Sequence, residues 1–545
     1  MAQADFPRHR REDVAAFVAG GYWNADTLAT YLRGWAERTP DKVAIRGPNG
    51  TLSYRETLAA ARRLANALLD RGLRKGDTVA IQLPNLPEFL IAYFGVTMMG
   101  GILSTMHMPY RAGEIEPLLR HADARAVITA APTAAYDAPA TMQGLRRRVP
   151  SLEHVIVATG PAPAGALALH DLIARGSESD IGDPPAAQDP CLLCFTSGTS
   201  AAPKGVLRTY ETLTANARVF APEIRLTQDD VVMVAPPFTH VFGLCCVNLT
   251  LYAGATNVLM PLFSPDAYAG TLRKGRPTVV FSAPAHVAAT IKAGLLDRRE
   301  GLDSIRDVIV AGSVCPPEVA AVLEQRLPRG RVGQLFGMTE VILVMQTPLD
   351  APPALRHHST GRCTRGIAAR IAAPDGRVLG AGAEGELQLR GYSVFAGYLA
   401  NDEANRASFT ADGWFKTGDL AAMDGAGNVA ITGRVKDLIN RGGIKINPTD
   451  LENLIAAHDS VVQAAIVPMP DEILGEKACL FVTLAPGKTL TFEQLTRYLA
   501  ASNVAKMKWP ERLEIVAEMP MTPTRKIVKG ELARRLAGAA ARVAS

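Results

Sequence analysis

The sequence predicts an α/β protein with a large N-terminal domain of mixed and parallel sheets flanked by helices, a small β-rich subdomain, and a small α+β C-terminal domain. Three observations predict it. Short β-branched runs alternate with amphipathic helical stretches through most of the chain, the rhythm of largely parallel sheets. From about Gly366 the pattern changes to short strands separated by glycine turns. The length of 545 residues, 48% hydrophobic and 20% charged, exceeds what one hydrophobic core serves.

Asn24 to Arg38 reads as an amphipathic helix, followed by a strand pair, Lys42 to Arg46 and Thr51 to Tyr54, that turns at Pro48-Asn-Gly50. Glu56 to Arg71 is helical again, and Thr78 to Leu83 is a β-rich run stopped by Pro84. Phe89 to Tyr110 carries no Asp, Glu, Lys or Arg and invites a membrane-spanning reading. Gly95, Gly100, Gly101, Ser104, Thr105, His107 and Pro109 interrupt it, so a buried helix followed by a buried strand is expected. Further strands are expected at Ala126–Thr129, His154–Ala158, Val231–Val234, Thr278–Phe281 and Asp307–Val310, and in the β-rich subdomain at Ala369–Ile371, Gly385–Arg390 and Asn428–Ile431. Stretches rich in Ala, Pro and Gly near Ala130 to Ala140 and Gly160 to Ala168 read as surface loops. Gly380-Ala-Gly-Ala-Glu-Gly385 satisfies G-x-G-x-x-G, but a strand follows it and Glu384 would repel a pyrophosphate, so it reads as a hairpin loop.

Composition excludes several classes. The 58 Lys and Arg against 53 Asp and Glu leave +5, spread without a basic block, which does not mark a nucleic-acid or membrane-surface protein. Seven scattered cysteines argue against a disulfide framework and for a reducing compartment, and the C-x-x-C of Cys191 and Cys194 sits in an apolar run that reads as a buried strand. The N-terminus lacks the apolar core of a signal peptide and the C-terminus lacks a targeting or lipidation motif, so a cytoplasmic protein with no transmembrane segment is expected. G-x-S-x-G and H-E-x-x-H motifs are absent from the sequence, which leaves serine-hydrolase and zinc-protease readings without a foothold. Oligomeric state is not legible.

The chemistry is concentrated in Phe195-Thr-Ser-Gly-Thr-Ser-Ala-Ala-Pro-Lys-Gly205. Small hydroxylated residues and glycine let backbone N–H groups and hydroxyls close around phosphate oxygens, and Lys204 adds a positive charge. It is not a Walker A loop, because Pro203 precedes Lys204 and Gly205 follows it. A polar surface turn is the plainer alternative for such a cluster. Asp419 offers a carboxylate able to accept two ribose hydroxyls, or is a turn aspartate. Glu340 is an oxygen ligand suited to Mg²⁺, or a glutamate at a helix entry.

The run T-S-G-T-S-x-x-P-K-G resembles the signature of the adenylate-forming superfamily, the acyl- and aryl-CoA synthetases, luciferases and peptide-synthetase adenylation domains. Gln334-Leu-Phe-Gly-Met-Thr-Glu340 resembles its second nucleotide motif and Gly413-Trp-Phe-Lys-Thr-Gly-Asp419 its ribose motif. Gly433-Arg-Val-Lys-Asp437 with Arg441-Gly-Gly443 resembles its hinge, and Pro520-Met-Thr-Pro-Thr-Arg-Lys526 its C-terminal lysine motif. The resemblance runs from about Tyr31 to Leu532 with the motifs in order.

The resemblance implies an acid–thiol ligase that uses ATP, Mg²⁺ and coenzyme A to convert a carboxylic acid to acyl-AMP and then acyl-CoA. Thr196, Ser197, Gly198, Thr199, Ser200 and Lys204 would meet the phosphates. Gln334, Leu335, Phe336, Gly337, Met338 and Thr339 would flank the nucleotide, with Phe336 on the adenine face. Glu340 and Thr199 would hold the metal, Asp419 and Arg434 the ribose. Lys526, with Thr339, Glu340 and His240, would form the catalytic set, Lys526 being the cation that lets a carboxylate approach the α-phosphate. The acyl pocket would be built from His240, Val241, Phe242, Gly312, Ser313, Gly337 and Met338, with His240 either a gate to the carboxylate or a satisfied core histidine. A mobile C-terminal domain, 434–545, would swing about Lys436 on the large domain, 1–433, bringing Arg441, Gly442 and Gly443 to the thiol.

Amino-acid-activating relatives carry an aspartate in the equivalent of Phe238 to His240; none stands here, which implies an uncharged apolar acid, short or medium, alicyclic or aromatic. Little chain follows Lys526, so no carrier domain is expected within it, but a separate carrier protein's phosphopantetheine remains an alternative acceptor. The family's pattern is departed from at Ala201, Phe336 and Arg525, where glycine, tyrosine and glycine are usual; a non-catalytic nucleotide-binding relative is the reading from another class, opposed by the presence of Lys204, Glu340, Asp419, Arg434 and Lys526.

Overall fold

A computed structural model provides the fold and describes residues 9–196, 204–441, 444–471, 473–502, 504–522 and 526–543. Ser197, Gly198, Thr199, Ser200, Ala201, Gly442, Gly443 and Arg525 lie outside the described residues. The chain divides into two compact units, Met1–Ala368 with Leu389–Phe415, and Ala369–Gln388 with Lys416–Ser545.

The first unit holds two large sheets. One runs, in spatial order, through Arg362–Cys363, Ile342–Gln346, Arg331–Met338, Asp307–Val310, Val279–Ser282, Val231–Val234, Thr256–Leu259, Val43–Gly47 and Gly50–Ser53. Its interior is parallel and only its flanks are antiparallel. The other runs through Leu167–Ala168, His154–Val157, Ala124–Thr129, Thr78–Gln82, Ile102–Thr105, Pro190–Thr196 and Lys204–Thr209, parallel except for the last pair. Interior strands such as Val231–Val234 and Asp307–Val310 have the bounds expected of them because parallel strands buried on both faces read as unbroken apolar runs.

Helices cover these sheets for legible local reasons. Tyr54–Asp70 starts at Ser53, whose Oγ accepts from the Glu56 N–H while Glu56 Oε2 accepts from the Ser53 N–H at 2.7 Å. Pro87–Met98 begins on a proline, is apolar on every side, and is buried on every side after its first two residues. Gly100, at φ +78°, turns the chain into the buried strand Ile102–Thr105, the helix-then-strand arrangement expected there. No helix among the described residues is long and apolar enough to cross a membrane. Cys191 and Cys194 are buried in Pro190–Thr196, the strand their apolar surroundings predict.

The second unit contains most of a four-stranded sheet, ordered Ile367–Ala372, Glu384–Gly391, Phe415–Met423 and Val429–Arg434. The turn before Glu384–Gly391 is the expected hairpin feature, with Gly382 at φ +79° donating to the Met423 carbonyl at 2.8 Å. A second sheet pairs Ile444–Ile446, Ile439–Arg441, Gly475–Leu484 and Val461–Asp471, with Arg512–Ile515 parallel to Gly475–Leu484. The helices Thr449–Ala456 and Phe492–Ala501 enclose its core of Ile439, Ile446, Leu451, Ile455, Leu480, Leu495 and Leu499.

His107, just beyond Ile102–Thr105, is buried; its carbonyl accepts from Gln82 Nε2 at 2.9 Å and its Nδ1 lies 3.0 Å from Thr239 Oγ1. Burial pushes its imidazole down from 6.5 to about 4. A depressed folded value means the neutral ring stabilises the fold above the unfolded value, and that contribution is lost as pH falls from 6.5 towards 4. Unfolding free energy measured by urea melts should therefore drop between these pH values by about 3 kcal/mol more in the native sequence than in His107→Gln. Equal slopes in the two proteins would contradict a neutral buried His107.

Candidate active site

In the first unit the phosphate-loop candidates Thr196 and Lys204 are cross-strand partners, the last pair of the strands Pro190–Thr196 and Lys204–Thr209 before residues 197–203 connect them. The Lys204 ammonium lies over the Tyr398 ring, 5.2 Å from its centroid. The Tyr398 hydroxyl donates to Glu340 Oε1 at 2.8 Å, and Glu340 is only 5% exposed. Burial raises the Tyr398 phenol well above its ordinary value and the neighbouring Glu340 charge adds to the effect. One tyrosine thus joins the hairpin lysine to the glutamate of the second nucleotide motif.

That motif forms the strand Arg331–Met338, a turn at Thr339–Val341, and the return strand Ile342–Gln346. Glu340 therefore sits on a strand-to-strand turn, not at a helix entry. A Cβ on Gly337 would meet the Ile342 carbonyl oxygen at 2.1 Å, so glycine is required where the hairpin closes. Ile342 adopts φ +60°, a strained conformation for a β-branched residue that surrounding bonds must enforce. Asn216 Nδ2 donates to the Leu343 carbonyl at 2.7 Å and Ser393 Oγ to the Val341 carbonyl at 2.6 Å. Arg208, 1% exposed, donates to the Thr339 carbonyl at 2.6 Å and the Ser393 carbonyl at 2.9 Å. Burial lowers its guanidinium to about 10, with nearby Glu340 among the groups opposing the shift.

Both ends of the Gln334 side chain engage backbone. Its Oε1 accepts from the Cys315 N–H at 3.4 Å and its Nε2 donates to the His357 carbonyl at 2.5 Å, which ties the Gly312–Cys315 loop to the motif strand. His357 contacts Glu324, which takes two bonds from Arg356 and is pulled down to about 2 by them against the cost of its burial. Leu335 is buried while Phe336, Gly337 and Met338 are half-buried; Gly312 has φ +93° and Ser313 is exposed.

His240 is half-buried and caps the helix Val241–Ala253, its Nδ1 accepting from the Phe242 N–H at 3.2 Å. Its ring stacks near His107, with centroids 6.2 Å apart. Val241 and Phe242 are buried, and Phe242 meets Phe281 edge-on.

In the second unit Asp419 lies within the strand Phe415–Met423, not in a turn, directly across from Arg434. Arg434 Nε donates to Asp419 Oδ1 at 2.8 Å. Burial raises the Asp419 carboxyl above its ordinary value, opposed by the charges of Arg434 and Lys526. Lys526 is exposed; its N–H donates to Thr522 Oγ1 at 3.0 Å and its carbonyl accepts from the Thr522 N–H at 2.7 Å. Lys436 is exposed in the single turn Val435–Asp437, which links one sheet of this unit to the other. A Cβ on Gly433 would strike the Asn447 side chain at 2.4 Å. Arg441 is held by Glu511, with Nε 2.6 Å from Oε1.

The structure links Lys204 to Glu340 through Tyr398 and bonds Asp419 to Arg434, with the Lys526 charge acting on Asp419, each set within one unit, and places His240 with His107. Arg208, Tyr398 and His107 were not read from the sequence. An arginine inside the apolar run Val206-Leu-Arg208 was the one available signal, because a charge in a strand-like run demands a partner. Among the described residues no group of three or more His, Cys, Asp or Glu could hold a metal. Mg²⁺ bound to a nucleotide takes only one or two protein oxygens beside phosphates and water, and the Glu340 carboxylate fits that donor set.

The family model described as AMP-binding enzyme matches residues 32–399, and that of the AMP-binding enzyme C-terminal domain matches 450–526. The chain is 35% identical to a salicyl-AMP ligase / salicyl-S-ArCP synthetase of Mycobacterium tuberculosis, over 97% of this chain and 94% of that protein. It is 31% identical to a medium-chain fatty-acid–CoA ligase of Escherichia coli, over 94% of this chain and 91% of that one. Among solved structures, ATP-bound MatB from Rhodopseudomonas palustris superposes with a TM-score of 0.83 at 28% identity, covering 93% of this chain and 98% of that one. The chain therefore belongs to the AMP-binding enzyme family, in its acyl- and aryl-CoA synthetase branch, and is an adenylate-forming acid–thiol ligase.

Proposed function

We propose that the protein joins an uncharged apolar carboxylic acid, aromatic, alicyclic or of short to medium chain, to coenzyme A at the expense of ATP, in the cytoplasm. The observation that carries this reading is the cluster of Asp419, Arg434 and Lys526, in which a buried carboxylate faces one cation across a strand pair and feels a second. A carboxylate oxygen of the acid attacks the α-phosphorus, the bond to the β-phosphate oxygen breaks, and pyrophosphate leaves. The coenzyme A thiolate then attacks the acyl carbon, and AMP departs as the thioester forms.

Each residue has a stated part. Asp419 accepts the ribose hydroxyls and Arg434 holds it in place. Lys526 offsets the repulsion between the carboxylate and the α-phosphate. Thr196, Ser197, Gly198, Thr199, Ser200 and Lys204 receive the phosphates, while Phe336, Gly337, Met338 and Thr339 pass along the nucleotide. Glu340 and Thr199 would hold Mg²⁺, which neutralises phosphate charge when bound. The acid lies against Val241, Phe242, Gly312, Ser313, Gly337 and Met338, with His240 at its carboxylate. His240 Nδ1 accepts a backbone N–H, which puts the proton of the neutral ring on Nε2 and makes that atom the donor.

The domains 1–433 and 434–545 are proposed to rearrange about Lys436 between the half-reactions, bringing Arg441, Gly442 and Gly443 to the thiol. The turn Val435–Asp437 supports this, since it and Leu438 alone connect the strand Val429–Arg434 of one sheet to Ile439–Arg441 of the other. A second reading, loading of a carrier protein's phosphopantetheine, is favoured by the salicyl-S-ArCP synthetase relative.

Lys526→Ala is expected to slow acid-dependent pyrophosphate release by about 100-fold or more while thioester formation from supplied acyl-AMP stays within a few-fold; equal loss in both half-reactions would refute the role. Asp419→Ala should raise the Kd for ATP about tenfold or more by calorimetry, and an unchanged Kd would remove the ribose assignment. Across a panel of fatty, alicyclic and benzoate-type acids, acyl-CoA should accumulate only with coenzyme A present. Pyrophosphate release without acyl-CoA would instead select the carrier protein.

A further inference from the structure

The segment Ser393–Leu399 is fastened to both of the elements assigned above to phosphate and metal. The Phe395 N–H donates to the Glu340 carbonyl at 2.8 Å, the Leu399 N–H to the Gly205 carbonyl at 2.8 Å, and Tyr398 forms an isolated bridge with Val206. Asn405 fixes Tyr398 from the other side, Oδ1 accepting from its N–H at 2.6 Å and Nδ2 donating to its carbonyl at 3.0 Å. The Tyr398 backbone is thus set by both neighbours; its ring packs edge-on against Phe395, and two separable contacts of its side chain bear on the site, the hydroxyl on Glu340 Oε1 and the ring face below the Lys204 ammonium.

We propose that Tyr398 is a positioning residue that orients the Glu340 carboxylate towards the nucleotide-bound cation through its hydroxyl and places the Lys204 ammonium through its ring. This rests on the assignments of Glu340 and Lys204 made above. An O–H donor on Oε1 fixes the plane of a carboxylate, which is how outer-shell partners tune an oxygen ligand. The aromatic face attracts the ammonium without supplying a counter-charge, so the lysine stays available to an anion.

The two contacts can be removed one at a time in the full-length protein. Tyr398→Phe keeps the ring and loses the hydroxyl; Tyr398→Leu loses both. Binding of a non-hydrolysable ATP analogue is measured by calorimetry with Mg²⁺ and with EDTA, alongside a Mg²⁺ titration of pyrophosphate release. Tyr398→Phe should raise the half-saturating Mg²⁺ concentration about three- to tenfold and leave the metal-free affinity of the analogue within about twofold. Tyr398→Leu should in addition weaken the metal-free affinity about threefold. Glu340→Gln serves as the reference: it must shift the Mg²⁺ dependence, and adding Tyr398→Phe to it should produce no further shift. If Glu340→Gln leaves the Mg²⁺ dependence unchanged, the metal assignment fails and this inference with it. If Glu340→Gln shifts it and Tyr398→Phe does not, the inference alone is overturned. Asn405→Ala separates a structural effect, since it should lower Tm without moving the Mg²⁺ dependence; a shift as large as that of Tyr398→Phe would assign the effect to the segment and overturn the role of the hydroxyl.

Discussion

The guanidinium of Arg208 is charged, buried and bonded to two carbonyls, and the geometry of the turn that carries Glu340 follows from it. A cation taken out of water is tolerated only where acceptors and opposite charge compensate it, and here they come from the Thr339 and Ser393 carbonyls and from Glu340. Satisfying one side chain therefore brings together three segments far apart in the chain: the strand Lys204–Thr209, the turn after Met338, and the stretch beginning at Ser393. The strained Ile342 can persist because this cluster, with Asn216 and Ser393 Oγ, leaves the turn no other arrangement. Glu340 is presented by backbone that cannot relax, which is the form of preorganisation an electrostatic site needs.

Legibility followed the range of the interactions involved. Buried parallel strands such as Val231–Val234 were readable because burial on two faces writes itself into consecutive residues. The helix Pro87–Met98 was readable for the same reason, together with its terminal proline and the following glycines. The strand Phe415–Met423 was not: its Lys416, Gly418 and Asp419 suggest a turn, and pairing with Glu384–Gly391 and Val429–Arg434 makes it a strand. Glu340 invited a helix-entry reading because nothing local shows that Ile342–Gln346 folds back. The charged candidates were found by motif resemblance, whereas Arg208, Tyr398 and His107 take their meaning from partners more than fifty residues away and leave little local trace.

The candidate residues of the two units differ in character. Those of the first unit stand on backbone held under constraint, with their side chains bonded into a network. In the second unit Asp419 is buried and paired while Lys526 stands exposed. In the first unit the Gln334 amide, bonded at both ends, couples the loop at Gly312–Cys315 to the strand Arg331–Met338.

Neither compact unit is contiguous: the chain leaves the first after Ala368, returns at Leu389 and leaves again after Phe415. During synthesis the first unit thus stays incomplete until residues 389–415 have emerged, by which time 369–388 of its neighbour are already waiting for a sheet partner in Phe415–Met423. Both units finish late and in overlapping order, and the strand ends left waiting are unpaired edges in the nascent chain. A single cut cannot liberate either one, so the protein is made, and lost to misfolding, as a whole.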